Sequence, residues 1–394
     1  MHDDLAYLDY AATSAPRPDV VADAIAHWLR TSGATPGRGG HRLAVDAGRL
    51  ALRCRRLLAE LLHIPGDPGR IAFQLNATHA LNTALFGVLR EGDVVVTTPF
   101  EHNALVRPLH VLQRERGIEV REIPAARDGT LDLDAARERL RGARLLAMTA
   151  ASNVLGTATP LSELGAAARE AGALVLVDAA QAAGSLPLDV AALGLDLLAI
   201  TGHKALLGPQ GIGALWVRPG LEIEPLLTGG TGGDSLDPSM PVALPDRLEA
   251  GTLNAPGIVG LHAALEWLRS EGIDTIHACA MRLKQMLHSA LSEAAMVRVL
   301  TPPASDGVPV VTMVADDIDP SMLAMRLDRE HGVLTRPGLH CAPGAHRLLG
   351  TEQTGALRLS LGWASTERDV ERAVAGVRSI VASAHPKVAD PARR

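Results

Sequence analysis

Aromatic residues are scarce, with three Phe, four Trp and two Tyr in 394 residues, so leucine, alanine and valine must fill any core. Cysteine is scarce too. Cys54, Cys279 and Cys341 are odd in number and widely spaced, which argues against a disulfide framework and against a zinc site. Positive charge is not in excess: 38 Lys and Arg stand against 44 Asp and Glu, a net charge of −6, so nucleic acid is not an expected partner. No apolar run reaches membrane-spanning length. The opening MHDDLAYLDYAATSAP is acidic and has no apolar signal core, and the expectation is a soluble, cytoplasmic protein without a membrane partner. There is no internal repeat and no low-complexity tract. What is plentiful is aliphatic sequence, since 47% of the chain is hydrophobic. The length suits two domains, or one large domain with an appendage.

From about residue 70 to 217, short apolar runs alternate with helical patterns. IAFQL (71–75), DVVVTT (93–98), IEVREI (118–123), RLLAMTA (144–150), ALVLVDAA (173–180), LDLLAIT and GIGALWV (211–217) read as strands. THALNTALFGVL, LDLDAARERLRG and LSELGAAAREAG read as helices between them. Such alternation implies parallel βαβ units with helices on both faces, and continuously apolar strands suit a buried parallel sheet. After about residue 255 the rhythm changes: long helical patterns, a strand at PVVTMV (309–314), a helix at SMLAMRLDREHG, a strand at ALRLSLG (356–362) and a terminal helix. This reads as a smaller α/β domain, joined by the N-terminal segment. The division expected is 13–262 against 1–12 with 263–394. The tail HPKVADPARR is polar and is expected to fray.

In open α/β sheets ligands sit beyond the carboxyl ends of the strands, so the residues just after each strand matter most. After IAFQL, Ala77 and Thr78 open a helix, whose free N–H groups and dipole suit a phosphate; a plain threonine cap would look the same. His102 follows DVVVTT and suits stacking on a ring or moving a proton, or is only a turn histidine. Asn153 follows RLLAMTA, either for a ligand oxygen or as a turn residue. Asp178 follows five apolar residues, where an unpaired carboxylate is expensive. It wants a cation, and a protonated pyridine nitrogen is one; a helix cap is the plainer alternative. Gln181 lies three residues on.

The stretch ITGHKALLGPQG (200–211) places Lys204 beyond another apolar strand, with Thr201 and His203 beside it. Lysine is almost never buried without a partner. A lysine at one strand end, an aspartate at a neighbouring one and a phosphate cradle are the parts of a pyridoxal 5′-phosphate site. There the lysine binds the cofactor covalently and the aspartate keeps the ring nitrogen protonated. Each element alone is weak, but five fitting strand ends in one chain are a strong joint signal.

YLDYAAT, GRGGHRL, LNATHALN, EHNALVRPL, SNVLGT, VDAAQAAG, TGHKALLGPQGIG, RLEAGTLN and RPGLHCAP follow in the order of a known family over nearly the whole chain. The sequence resembles the class V aminotransferases, specifically the cysteine desulfurases and selenocysteine lyases. The resemblance implies fold type I of the pyridoxal phosphate enzymes: an α/β fold with a mostly parallel central sheet, helices on both faces and a smaller C-terminal α/β domain, acting as a homodimer. By resemblance, Lys204 is the cofactor-binding and catalytic lysine and Asp178 pairs with the pyridine nitrogen. Gln181 meets the phenolic oxygen, and His102 stacks on the ring and takes part in catalysis. Ala77, Thr78, Thr201 and His203 hold the phosphate, and Thr252 reaches the phosphate of the other subunit. Asn153 contacts substrate and cofactor, Arg358 clamps the substrate carboxylate, and Ala12 and His41 border the substrate. No metal is implied.

The residues themselves support Arg358. In ALRLSL, Leu357, Leu359 and Leu361 share one face and Arg358 and Ser360 the other, and a guanidinium fork suits a carboxylate; a solvated charge on a sheet face is the alternative. Cys341 decides the reaction. It sits in RPGLHCAP, read as a tight loop rather than a strand, beside His340 and Arg336, a setting that suits a stabilised thiolate. Cys54 and Cys279 lie in helical patterns and read as structural. The resemblance implies that Cys341 takes sulfur from L-cysteine as a persulfide, leaving alanine, and that a sulfur-acceptor protein follows. The compact loop resembles the second group of desulfurases. Two positions depart from that group: Leu339 stands where its best-known members have histidine, and Leu253 where many have proline. Leu339 keeps open a carbon–sulfur or carbon–selenium lyase acting on cysteine or selenocysteine, less dependent on Cys341. A non-catalytic scaffold is disfavoured because Lys204 and Asp178 are both kept.

Overall fold

The computed structural model describes residues 5–37, 39–232, 236–303 and 306–384. Thirteen strands are distinguished among them: β1 (Ala6–Tyr7), β2 (Ile71–Gln74), β3 (Val94–Thr97), β4 (Glu119–Glu122), β5 (Leu145–Thr149), β6 (Leu174–Asp178), β7 (Leu197–Thr201), β8 (Gly213–Val217), β9 (Val297–Val299), β10 (Val310–Ala315), β11 (Val333–Leu334), β12 (Arg336–Gly338) and β13 (Ala356–Ser360). The larger sheet has seven strands in the order β2-β8-β7-β6-β5-β3-β4. From β7 to β4 every pairing is parallel. β8 is antiparallel to both β7 and β2.

The sequence dictates this pattern. β5 and β7 are buried along their whole length, as strands covered on both faces must be. β4, with the sequence EVRE, is a charged edge, which discourages further strand pairing. Only residues 202–212 join β7 to β8, too few for a crossover helix, so β8 returns antiparallel. Gly213 is required at that return: a side chain there would come within 2.5 Å of the Ile200 carbonyl and 2.9 Å of Asn76 Cα. Its absence lets β8 lie close under the start of the helix Ala77–Val88.

Separate apolar clusters cover the two faces of the sheet. The helices Ala77–Val88 and Asn103–Arg116 carry one, with Leu81, Leu85, Leu105 and Leu109 against β3 and β5. The helices Arg42–Leu61, Leu161–Glu170 and Ala255–Glu271 cover the other. A third cluster gathers Ala6 and Leu8 with the helices Ile273–Ser292, Pro320–His331 and Glu367–Ala384. These pack on a four-stranded antiparallel sheet, β12-β13-β10-β9.

The sequence patterns place the long strands and helices within a few residues. They miss β1, β9 and β11, which are two or three residues long and too short to show a period. They also read the segment leading to Cys341 as a loop, whereas Arg336–Gly338 forms β12 on β13. Cys341 itself lies in the turn that follows. The proline and glycine of that segment suggest a turn, but β12 is an edge strand, where the missing proline N–H is tolerated. The tail HPKVADPARR lies outside the described residues.

Candidate active site

The carboxyl ends of the parallel strands open on a cavity of about 260 Å³. Asp178 ends β6, Thr201 ends β7, and Lys204 follows three residues later. The register aligns Asp178 beside Ala199 on β7 and Thr149 on β5. Adjacent parallel strands therefore deliver their last side chains to one place. Ala12, Ala77, Thr78, His102, Asn153, Gln181, His203 and Arg358 also border this cavity, so most of the residues picked from sequence converge.

Three of those residues stand apart. His41 is exposed and caps the helix Arg42–Leu61, its Nδ1 accepting from Ala44 N at 3.4 Å. Thr252 is exposed and lines a different surface pocket. Cys341 is half-buried just beyond the cavity, on the turn whose neighbours His340 and Arg336 line it.

Burial and mutual charge set the electrostatics of this cavity. Asp178 is 3% exposed, and Ala180 N donates to its Oδ1 at 2.9 Å. Burial raises its pKa, opposed by that hydrogen bond and by the charge of Lys204. Lys204 keeps some surface in the cavity, but its ammonium is enclosed. Desolvation lowers its pKa to about 8, against the pull of Asp178 and with help from Arg358 and Arg336. His102 is pushed down to about 4 by burial and then by Lys204, so its ring is neutral. Its Nδ1 accepts from Ala104 N at 3.0 Å, which puts its proton on Nε2. His203 is lowered to about 4 for the same reasons, and its Nδ1 lies 3.0 Å from Thr13 Oγ1.

Among the described residues eleven buried side-chain polar atoms have no hydrogen-bond partner, and two of them belong to residues of this cavity: Thr201 Oγ1 and Arg358 Nε. Such orphans are uncommon and call for an explanation. Beside Thr201, the helix Ala77–Val88 starts with its side-chain cap, Asn76 Oδ1, engaged by His79 N at 2.9 Å. Among the described residues no group accepts from the backbone amides of Ala77 and Thr78, which suit an anion at the helix start. A phosphate there would satisfy Thr201, and a protonated pyridine nitrogen would compensate Asp178. The donor set therefore fits pyridoxal 5′-phosphate.

Arg358 is 1% exposed, so it is not a solvated charge. Its Nη2 donates to Asp9 Oδ1 at 2.8 Å and its Nη1 to the Asn153 carbonyl at 3.2 Å. Asp9 lies in YLDYAAT, but nothing in the local sequence singles it out as the partner of a residue 349 positions away. Arg336 is another residue that the strand-end reading does not select. It borders the cavity, and its Nη2 donates to Cys341 Sγ at 3.7 Å. Thr149 and Ala180 also line the cavity. Asn153 spends one amide N–H on the His340 carbonyl, at 2.7 Å, and Gln181 spends one on the Ala11 carbonyl, at 3.0 Å. His340 does not act as a cation beside the sulfur, because burial lowers its pKa to about 3.

The sheet order, the strand-end cavity and the second, antiparallel layer are those of fold type I of the pyridoxal phosphate enzymes. The chain belongs to the aminotransferase class-V family, whose family model matches residues 6–373; this family depends on pyridoxal 5′-phosphate. A probable cysteine desulfurase of Methanothermobacter thermautotrophicus is 34% identical over 377 residues, covering 93% of this chain and 92% of that protein. Probable cysteine desulfurase 2 of Mycobacterium leprae is 36% identical, covering 95% and 91%. Among solved structures, the apo cysteine desulfurase of Thermococcus onnurineus NA1 superposes with a TM-score of 0.91 at 31% identity, covering 97% of this chain and 96% of that one.

Proposed function

We propose that the protein is a pyridoxal-phosphate-dependent cysteine desulfurase that converts L-cysteine to L-alanine and takes the sulfur onto Cys341 as a persulfide. The observation that carries this reading is the contact of Arg336 Nη2 with Cys341 Sγ, at 3.7 Å, at the edge of a cavity that holds Lys204, Asp178 and Arg358.

In this reading Lys204 carries the cofactor and Asp178 meets its ring nitrogen. Gln181 meets the phenolic oxygen, His102 stacks on the ring, and Ala77, Thr78, Thr201 and His203 hold the phosphate. The cofactor, when bound, supplies an electron sink for the α-carbon of the amino acid. Arg358 binds the substrate carboxylate, using the Nε that no protein group engages. Asp9 holds the guanidinium from the other side, and Ala12 and Asn153 line the approach. Lys204 Nζ, with its pKa lowered to about 8, takes the α-proton and returns it, as a base with a pKa close to the working pH should.

Cys341 Sγ attacks the substrate sulfur as a thiolate. An S–S bond forms and the substrate C–S bond breaks. The electron pair of that bond stays on carbon, which takes a proton and becomes the methyl group of alanine. Arg336 places a permanent positive charge beside the sulfur that must carry negative charge to attack.

Several further features belong to the same proposal. Thr252, exposed and away from its own chain's cavity, serves the phosphate site of the other subunit in a homodimer, and His41 borders the substrate from the same kind of outlying position. A sulfur-acceptor protein docks where Leu339, 40% exposed, stands beside Cys341. The division into residues 13–262 and 1–12 with 263–394 follows the separate apolar cluster that joins Ala6 and Leu8 to the C-terminal helices. A cytoplasmic location agrees with three unpaired cysteines. Among the described residues no helix is long and apolar enough to cross a membrane.

The test is a product assay. Protein with cofactor and a thiol reductant receives L-cysteine or L-selenocysteine, and alanine, sulfide, selenide and pyruvate are quantified for wild type and Cys341→Ser. Alanine and sulfide in equal amounts, lost in the variant, are expected. Pyruvate, or turnover of cysteine indifferent to the substitution, assigns the protein to the lyases instead.

A further inference from the structure

Cys341 stands on an improbable piece of backbone. His340 has φ 50° and Cys341 has φ 57°, two successive non-glycine residues in the left-handed region. Side chains disfavour that conformation, and it persists only where surrounding contacts over-determine it. Some of the contacts are backbone clamps. Cys341 O accepts from Asn103 N at 2.7 Å, and Ala342 N donates to Leu339 O at 3.0 Å. His340 O accepts from Asn153 Nδ2.

The remaining contacts form a chain of side chains that the proposed reaction does not use. His340 Nε2 lies 3.0 Å from the Arg336 carbonyl. His340 Nδ1 lies 3.1 Å from His346 Nε2, and His346 Nδ1 lies 2.8 Å from Thr351 Oγ1. His340 and Thr351 are each 3% exposed and His346 is fully buried. Burial lowers the pKa of His340 to about 3 and of His346 to about 4, so each ring carries one N–H.

The direction of every bond then follows. A carbonyl only accepts, so the His340 proton is on Nε2 and its Nδ1 is an acceptor. His346 must therefore donate from Nε2, which leaves its Nδ1 to accept from the Thr351 hydroxyl. The chain runs one way, from Thr351 to His346 to His340 to the Arg336 carbonyl. It ends on the backbone of the residue whose guanidinium touches Cys341 Sγ.

We propose that His346 is a positioning residue for Cys341: with its Nδ1 held by the Thr351 hydroxyl, it locks the His340 ring, and so holds the left-handed turn that keeps the thiol against Arg336. This rests on the reading of Cys341 as the sulfur-accepting residue. Neither His346 nor Thr351 borders the cavity, so neither touches the reacting atoms.

The experiment follows alkylation of Cys341 by iodoacetamide at pH 7 in the full chain, resolved by mass spectrometry, with exposed Cys279 as internal reference. Wild type, His346→Leu, Thr351→Val and Thr351→Ser are compared, and thermal unfolding reports folding. His346→Leu and Thr351→Val are expected to slow Cys341 alkylation about three- to tenfold, as loss of one charge-assisted contact would, without changing the Cys279 rate. Thr351→Ser, which keeps the hydroxyl, is expected to restore the rate. A packing role alone would not distinguish serine from valine in this way, since serine is the smaller. Wild-type rates at Cys341 in His346→Leu and Thr351→Val, or a serine variant as slow as valine, would overturn the proposal. If His346→Leu does not fold, the Thr351 pair decides. Alanine production by wild type is measured alongside. Its absence would sink the desulfurase reading itself, whereas its presence with unaltered Cys341 reactivity in the variants sinks only the positioning role.

Discussion

Arg358 Nη2 donates to Asp9 Oδ1 across 2.8 Å, tying β13 to the N-terminal segment with a charge pair whose arginine is 1% exposed. Burial lowers the Arg358 pKa, and Asp9 is the first group that opposes the shift. Removing one partner of a buried pair leaves the other charge without compensation.

Asp9→Asn keeps the shape and removes the charge. Asp9 is itself partly exposed, so the loss of stability is discounted to about 2 kcal/mol. It is read as a fall in denaturation midpoint at unchanged slope. The apparent KM for L-cysteine should change more than kcat, because Arg358 is then free to turn from its bound position. An unchanged midpoint and KM would remove Asp9 from the site.

Thr201 Oγ1 is buried without a partner. In the cofactor-free protein, Thr201→Val should be neutral or stabilising by up to about 1 kcal/mol, since an unsatisfied hydroxyl disappears. The same change should weaken uptake of pyridoxal phosphate about tenfold, as loss of one hydrogen bond to a charged group does. Absorbance titration and thermal unfolding read the two effects. Loss of stability without loss of cofactor affinity would contradict the phosphate assignment.

Lys204 is a titration marker of the site. Its pKa is lowered to about 8 because burial penalises the ammonium more than Asp178 stabilises it. The neutral amine therefore forms above about pH 8 instead of above 10. In the cofactor-free protein, site-resolved acylation of Lys204 should have its midpoint near pH 8, and added cofactor should block it. A midpoint above pH 10 would show that the cavity does not desolvate this lysine.

Glu101 is 2% exposed and its pKa is raised to about 8 by burial, against hydrogen bonds from Thr98 and Thr149. The folded state therefore binds a proton that the unfolded state releases near pH 4.5. The contribution of Glu101 to stability is full below that pH and is lost progressively as pH rises to about 8. Glu101→Gln, which stays neutral, should be more stable than wild type by about 2–4 kcal/mol at pH 8.5, and this advantage should vanish near pH 5. Parallel stability curves across that range would rule out the buried ionisation.

Much of the site was legible before the fold. A parallel strand buried on both faces must be apolar throughout, and it must stop where the chain reaches the ligand edge. A polar residue at the end of such a run, as at Asp178 and at Thr201 with Lys204 three residues on, is therefore visible in one dimension. The helix start at Ala77 and Thr78 carries the same kind of local signal. β8 was recognisable as a strand, but its direction was not. That depended on the connection of residues 202–212 being too short to cross the sheet, a geometric fact rather than a compositional one.

What the sequence determined by itself was the alternation of strand and helix, and hence the edge at which Lys204, Asp178, His102 and Thr201 emerge. Periodicity and burial are local properties, so they can be read residue by residue. Only the tertiary structure decided that Asp9 meets Arg358, that Arg336 rather than His340 faces the Cys341 sulfur, and that His340, His346 and Thr351 join into one directed chain. It also decided that Lys204 and Glu101 lose most of their water. Those relations depend on separations and desolvation between residues far apart in the chain, or on which way the rings turn between Arg336 and Thr351, and no period or propensity encodes them.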